Sequence, residues 1–470
     1  MLPLLNSLYA DCGLSSDEAL TDWIAGRIRE VTVSVDLIPF RRMRKWLVDP
    51  SSGNLIHESG RFFSVEGLEV KTDCGNVRVW HQPIVNQPET GILGIIAKET
   101  DGVMHLLMQA KIEPGNGNYV QISPTLQATK SNYNRIHRGK TPLYLEYFQK
   151  VRPENIMLDQ LQSEQGARFL KKRNRNIIIL TDDENIPLRD DFRWMTVAQV
   201  KRLMRTDNAV NMAARTVLSG IAWGELARSE FTGLAEVFPF FDSHHVSTSG
   251  RDLWMSSLAT EGIHSTERIL SWLSQLKFRH ELHVKQIPLN ALAEWHAGEN
   301  EIARADRRFF RIVGAEIMID NREVNSWCQP FVQPVQDGIC AFIIKKIHGV
   351  YHFLVQAKLE CGNFDVFELA PTVQYLADNS AENPYAPPFL DCVLQAEKKQ
   401  ILFDVMLSEE GGRFFREQNR NMMVIAGDDF DETPPETFIW MTLGQIHTFL
   451  KFGNYLNIQA RSLISLIDFR

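Results

Sequence analysis

The sequence predicts an α+β protein made twice, two tandem modules of mixed helix and strand within one chain. Three observations carry this. The chain has 470 residues, 44% hydrophobic and 23% charged, the balance of folded globular domains at a length suited to two to four of them. Landmarks recur at a fixed spacing: Trp80 in "VWHQPIV" and Trp327 in "SWCQPFV", Gln109 and Gln356, Pro124 and Pro371 are each 247 positions apart. Within each copy, runs of branched and aromatic residues alternate with amphipathic stretches, as when strands are interleaved with helices.

The correspondence is long. "GRFFSVEGLEV" (60–70) matches "RRFFRIVGAEI" (307–317), and "SEQGARFLKKRNRN" (163–176) matches "SEEGGRFFREQNRN" (408–421). Each copy spans about 200 residues, far beyond the 20–50 of a solenoid repeat. The modules are therefore set at 1–235 and 236–470. Their join is expected near "FFDSHHVSTSGRD" (240–252), where Ser, His and Gly interrupt the periodic pattern.

The elements follow in order. A helix is expected over 16–30, capped by "SSDE". "RFFSVEGLEVKT", "GILGIIAKE", "VMHLLMQAKI" and "YVQISPTL" read as strands. "ENIMLDQLQSEQGARFLKKRN" (154–174) fits a 3.6-residue period and is assigned to helix. "RNIIIL" and "MMVIAG" are short buried strands, and "TVAQVKRLMR" is a Thr-capped helix that closes the module.

The bulk properties exclude several classes. A net charge of −8 argues against a broad nucleic-acid surface. No apolar run approaches the roughly 20 residues of a membrane-spanning helix, and "MLPLLNSLYADCG" lacks the charge and length of a signal peptide. Cysteines at 12, 74, 328, 340, 361 and 392 form no C-x-x-C pair, as in a cytoplasmic protein with reduced thiols.

In duplicate, "QAK-E-GN", "PT-Q", "SE-GGRF" and "RN" resemble the NDP-hexose 2,3-dehydratase family of bacterial deoxysugar pathways. The resemblance covers nearly the whole chain. It implies two Nudix-like α/β/α modules, a homodimer, and action on a dTDP-linked 4-keto-6-deoxyhexose. Loss of water across C2–C3 would give an unstable 3,4-diketo-2,6-dideoxy sugar for a downstream 3-ketoreductase. True Nudix hydrolases hold Mg²⁺ with several glutamates from a helix reading roughly R-E-x-x-E-E-x-G. The matching places here carry Glu164 alone, or Glu409 and Glu410, a poor cage for a hard cation. No metal and no cofactor are expected, and Glu409 and Glu410 are assigned to a solvated face or to the N-terminus of the following turn. The rival readings are a Nudix-type nucleotide-sugar hydrolase and a non-catalytic nucleotide-sugar-binding protein.

Such a dehydration needs a base for the C3 proton, an acid for the departing C2 hydroxyl, and donors at the C4 oxygen. Only the first copy continues into "KSNYNRIHRGK", with Ser131, Asn132, Tyr133, Arg135 and His137; the second reads "YLADNSAENPY". The active site is therefore placed chiefly in the first copy. Tyr133 is a candidate acid or enolate donor, and His137 a proton shuttle. Lys111 and Glu113 are either a catalytic pair in contact with substrate or a scaffold ion pair. Gln109, Gln127 and Thr125 are candidates for sugar contact. Asn116 and Asn118 lie in the "PGNGN" turn, whose N–H groups suit phosphate. "KKRNRN" offers Lys171, Lys172, Arg173 and Arg175 to the diphosphate, with Arg175 and its counterpart Arg420 equally open to a structural role; Trp80 either stacks on thymine or is simply buried. Trp327, Gln356, Lys358, Thr372, Gln374 and Arg420 mark the corresponding second pocket.

Overall fold

The computed structural model describes all residues except 12, 130–140, 321–323 and 377–385. Among the described residues, each copy contributes a mixed seven-stranded sheet. In the first, the order runs Ile156–Ser163, Arg173–Leu180, Gly91–Thr100, Val103–Ile112, Phe192–Thr196. Arg173–Leu180 lies parallel to Gly91–Thr100, and the other neighbours along this path are antiparallel. The second copy repeats the arrangement with Ile401–Ser408, Gln418–Ile425, Gly338–Ile347, Val350–Lys358 and Phe438–Thr442. Central strands are apolar on both faces: Ile95, Ile96 and Ala97 are all fully buried. Helices cover them, as both faces of such strands require.

Two five-stranded sheets exchange strands between the copies. Val33–Ile38 of the first copy pairs antiparallel with Phe310–Ile319 of the second, from Val33↔Ile319 to Ile38↔Gly314. Reciprocally, Leu282–Ile287 pairs with Ser64–Thr72. Each sheet is therefore completed by the other half of the chain.

The interlock continues at two glycine turns. Gly115 N–H donates to Gly411 O at 2.7 Å, and Arg416 N–H donates to Gly115 O at 2.6 Å. The mirror pair is Gly362 to Gly166 O and Lys171 to Gly362 O, at 2.7 and 2.6 Å. A Cβ on Gly115 would fall 1.9 Å from Phe414 O, and one on Gly362 equally close to Phe169 O. The backbones meet only because these positions carry no side chain. The N–H of Gly115 in "PGNGN" thus serves the module seam and not a phosphate.

Most expected elements are present. The first helix is Asp17–Glu30, with the Ser16 side chain accepting from Ala19 N–H. Its copy is Thr266–Arg279, capped by Ser265. Val197–Leu203 is closed by a Thr196–Gln199 capping box. Three expectations are corrected. Residues 154–174 form no long helix: Ile156–Ser163 is a strand, followed by a tight turn and the strand Arg173–Leu180. Apolar positions 156, 157, 158 and 161 fit either period, and the open edge of Arg173–Leu180 decides for strand. "YVQISPTL" splits into Val120–Ser123 and Leu126–Ala128, which pair with different strands; Pro124 between them has no N–H for a ladder. The expected break at 240–252 falls largely within the helices Leu234–Ser243 and Thr248–Leu258.

Gly115→Ala and Gly362→Ala should each cost about 3 kcal/mol, because each Cβ meets backbone across the seam. Gly117, with open space around it, should tolerate Ala within about 0.5 kcal/mol. Urea denaturation midpoints of the three variants check this.

Candidate active site

The turn after Ile156–Ser163 in copy one, and after Ile401–Ser408 in copy two, organises the site. Glu164 N–H donates to Lys172 O at 3.0 Å, closing the turn and bringing both side chains to one side. Glu409 N–H donates to Glu417 O at 2.9 Å in the mirror turn. Each turn reaches across the seam, so residues 410–413 of copy two wall a cavity of about 160 Å³ in copy one. Lys111, Glu113, Gln127, Glu164, Lys172 and Asn174 line it from copy one, and Glu410, Gly412 and Arg413 from copy two.

The polar lining is ordered by a few bonds. Gln127 Nε2 donates to Glu113 Oε1 at 2.7 Å. Asn174 Nδ2 donates to Glu164 Oε1 at 2.6 Å while its Oδ1 accepts from Gly91 N–H at 2.9 Å. Lys172 Nζ donates to Glu89 O. Glu410 Oε1 accepts from Gly412 N–H at 3.0 Å, and its Oε2 is buried with no hydrogen-bond partner among the described residues. A carboxylate oxygen buried in that state is poised for a ligand or a proton.

Burial sets the electrostatics. It holds Glu410 well above the usual carboxylate range; Arg413 pulls down against it, and Glu113 and Glu164 add to the rise. Burial also raises Glu164, against Arg461, Asn174 and Lys172. Burial lowers Lys172 to about 8, with Glu164 opposing. A carboxyl raised and an ammonium lowered in one cavity bring the two groups toward the same pH range.

The mirror position in copy two differs at these groups. Gln165 stands for Glu410, and Glu417 for Lys172. Gln165 Nε2 donates to Glu409 Oε2 at 2.7 Å, and Glu417 lies 3.8 Å from Arg168. Tyr375 and Gln459 replace the small Ala128 and Ala213. The copy-two position is thus bulkier, and there burial raises a carboxyl, Glu417, that Arg168 only partly offsets.

Lys111, Glu113 and Gln127 come together on the cavity wall. Arg173 lies outside it, with its guanidinium 5.0 Å from the Phe364 ring. Arg175 does not face a ligand: it grips Asp159 with two bonds of 2.8 and 2.6 Å, and Arg420 repeats this on Asp404. Thr125 and Thr372 bind strand backbone, accepting from Ile96 and Ile343 N–H and donating to Leu107 and Leu354 O. Asn118 donates to Asn208 O at 2.8 Å, and Asn116 is buried against Gly411. Trp80 and Trp327 donate to Gln82 and Gln329 two residues along. Gln109 and Gln356 sit on strands opposite Phe192 and Phe438, away from the lining. Lys358 Nζ donates to Gln374 O at 3.5 Å, and Gln374 donates to Glu360 at 2.9 Å. Ser131, Asn132, Tyr133, Arg135 and His137 lie outside the described residues.

Sequence reasoning passed over Arg413 and Asn174, weighed Lys172 only as a cation for the diphosphate, and weighed Glu410 only as a metal ligand. Of the two places expected for Glu409 and Glu410, the solvated face does not hold, since Glu409 is buried and Glu410 lines the cavity of the other copy; the start of the following turn does, since Glu410 O accepts from Phe414 N–H at 3.0 Å. The usable signal was the pair of departures from the repeat, "SEQ" against "SEE" and "KKRN" against "REQN". Among the described residues, no group of three or more His, Cys, Asp or Glu is arranged to hold a metal ion, and no helix is long and apolar enough to cross a membrane.

The profile of the NDP-hexose 2,3-dehydratase family matches residues 17–221 and 266–467. The chain is 44% identical to the dTDP-4-dehydro-6-deoxy-α-D-glucopyranose 2,3-dehydratase of Saccharopolyspora spinosa, covering 94% of this chain and 89% of that one. Proteins of the same name from Amycolatopsis orientalis and Streptomyces violaceoruber are 40% and 41% identical. They cover 96% and 95% of this chain and 90% and 95% of theirs. Among solved structures, an ADP compounds hydrolase is similar over 34% of this chain and 84% of its own, at 15% identity and a TM-score of 0.24. Two family-matched regions, one in each copy of the duplicated fold, and relatives similar along nearly their whole length give one conclusion: the chain belongs to the NDP-hexose 2,3-dehydratase family.

Proposed function

We propose that this chain removes water across C2 and C3 of a dTDP-linked 4-keto-6-deoxyhexose. The observation that supports this reading most is Glu410, delivered by copy two into the copy-one cavity with a free buried oxygen, beside Lys172. The ketone at C4 acidifies the C3 proton. Glu410 takes that proton as general base, and the charge moves onto the C4 oxygen. Arg413 and Lys111, cations of the same lining, stabilise that enolate. The C3–H electron pair then expels the C2 hydroxyl, which Lys172 protonates as it leaves as water. The resulting C2–C3 enol becomes the 3-ketone. C3 is oxidised and C2 reduced within one molecule, so the electrons balance without a redox partner. The reading further takes the enzyme to act in the cytoplasm, as a homodimer, passing its product to a 3-ketoreductase; free thiols at all five described cysteines suit that compartment.

The test is incubation with the 4-keto-6-deoxy sugar nucleotide, with a 3-ketoreductase and its nicotinamide to trap the diketone. Glu410→Gln should lower kcat by about 10²–10⁴-fold, the usual worth of a positioned base, with KM little changed. Turnover should survive EDTA with the diphosphate intact. A Glu410→Gln enzyme of full activity would overturn the assignment, and magnesium-dependent cleavage of the diphosphate would overturn the dehydratase reading.

The pH profile follows from the two shifts. A base must be ionised, so kcat/KM should rise with pH through the elevated range of Glu410. An acid must be protonated, so activity should fall as Lys172 loses its proton at about 8. Lys172→Arg, which does not titrate in this range, should remove the basic limb while the acidic limb stays. A profile in which both limbs survive in that variant contradicts the role of Lys172.

A further inference from the structure

The cavity at Glu410 is too small for a whole nucleotide sugar: its 160 Å³ is below the roughly 300–1,000 Å³ of sites that enclose larger ligands. Under the reading above, the nucleotide must lie elsewhere. A second cavity of about 290 Å³ is lined by chain neighbours of the first. Gln87 and Lys172 line the first; their chain neighbours Asn86, Pro88, Lys171 and Arg173 line the second, opposite Gln286 and Phe364 of copy two.

The geometry points to this second cavity as a nucleoside-phosphate site. Its chemistry is cationic and aromatic. Lys171 is exposed, and neither Lys171 nor Arg173 is joined to a carboxylate in any described ion pair. Phe364 remains 37% exposed, with Arg173 over its ring at 5.0 Å. A flat apolar face beside two cations suits a base and its phosphates. Asn86 and Gln286 of the lining both donate to Glu66, at 3.1 and 2.7 Å.

The duplication supplies an internal comparison. At the mirror positions Arg173 becomes Gln418, Phe364 becomes Gly117, and Thr90 becomes Asp337. Gln418 there donates to Asp337 at 3.1 Å. The mirror surface has lost one cation and the ring, and has gained an anion. Lys171 and Arg416 are alike in both, each held at positive φ by the seam. What differs between the copies is thus the set of groups a nucleotide requires, and the complete set lies beside the complete cavity.

The test uses the full chain and thymidine diphosphate as probe, with titration calorimetry as readout. Arg173→Gln and Phe364→Gly install the residues of the mirror copy; Phe364→Leu keeps the loop packed if glycine unsettles it. Each should bind the probe at least tenfold more weakly with an unchanged melting temperature. Steady-state kinetics then separate two sources of the nucleotide. A rise in KM of the same size at constant kcat means that the site holds the nucleotide end of the substrate; unchanged KM and kcat mean that it holds a free nucleotide. Probe affinity equal to wild type in the folded variants, or no probe binding by the wild-type chain, overturns the proposal. Because binding is read without turnover, a chain that binds the probe through Arg173 yet does not dehydrate the sugar would sink only the dehydratase reading.

Discussion

Two fully buried guanidinium groups hold the halves of this chain together. Arg215, on the helix Met212–Ser219, donates to Ser462 Oγ at 2.8 Å and to Ser408 O at 2.6 Å, both in copy two. Arg461, on the helix Ile458–Ser465, donates to Thr216 Oγ1 at 2.8 Å and to Ser163 O, both in copy one. Their charge is costly to bury, and their planar donor forks are satisfied only while both copies are docked. Balancing negative charge comes from Glu409 for Arg215, and from Glu164 and Glu368 for Arg461. Glu164 also lines the cavity that Glu410 enters, and Thr216 does too. Seam and site are therefore one network, and a change that loosens the first reaches the second through Glu164.

The strand exchange and the glycine turns follow from the same constraint. A backbone approach close enough to place residues 410–413 inside the other copy demands glycine at 115 and 362. It also demands sheets that cannot drift apart, which the pairings of Val33–Ile38 and Leu282–Ile287 provide. The reward is a carboxyl removed from water. Burial is the leading cause of the shifts at Glu410, Glu164 and Lys172, and burial of this depth needs walls from both copies.

Much of this was legible in the sequence, for physical reasons. Repeated apolar strands such as "GILGIIAKE" announce themselves because both faces are buried, and the Ser and Thr caps at 16 and 196 mark helix starts by satisfying orphan N–H groups. Duplication was visible because the core of each copy needs the same residues at the same spacing. The long helix assigned to 154–174 failed because strand Ile156–Ser163 takes its identity from a distant partner, Arg173–Leu180, and not from local period. The exchange of strands was invisible for a related reason: either copy could in principle have paired with itself. At the site, Lys111, Glu113 and Gln127 were found as a conspicuous polar run. Arg175 and Arg420 stayed open between two roles, because an arginine in a cross-strand pair with aspartate reads, in one dimension, like an arginine awaiting phosphate.

Tandem fusion explains why the two positions could diverge at all. In a dimer of identical single modules, any change in the exchanged turn would appear in both cavities, and any change in the receiving wall likewise. Glu410 and Gln165 would have to be the same residue, as would Lys172 and Glu417. One chain with two copies lifts that restriction. Copy two can supply a glutamate where copy one supplies glutamine, and copy one can keep a lysine where copy two has a glutamate that engages Arg168. A glutamate at 165 would stand beside Glu409, where glutamine now donates a bond of 2.7 Å, and two carboxylates that close and buried repel. The amide on one side is thus the structural counterpart of the acid on the other. The asymmetry thus spares Glu409 a second buried carboxylate at its side.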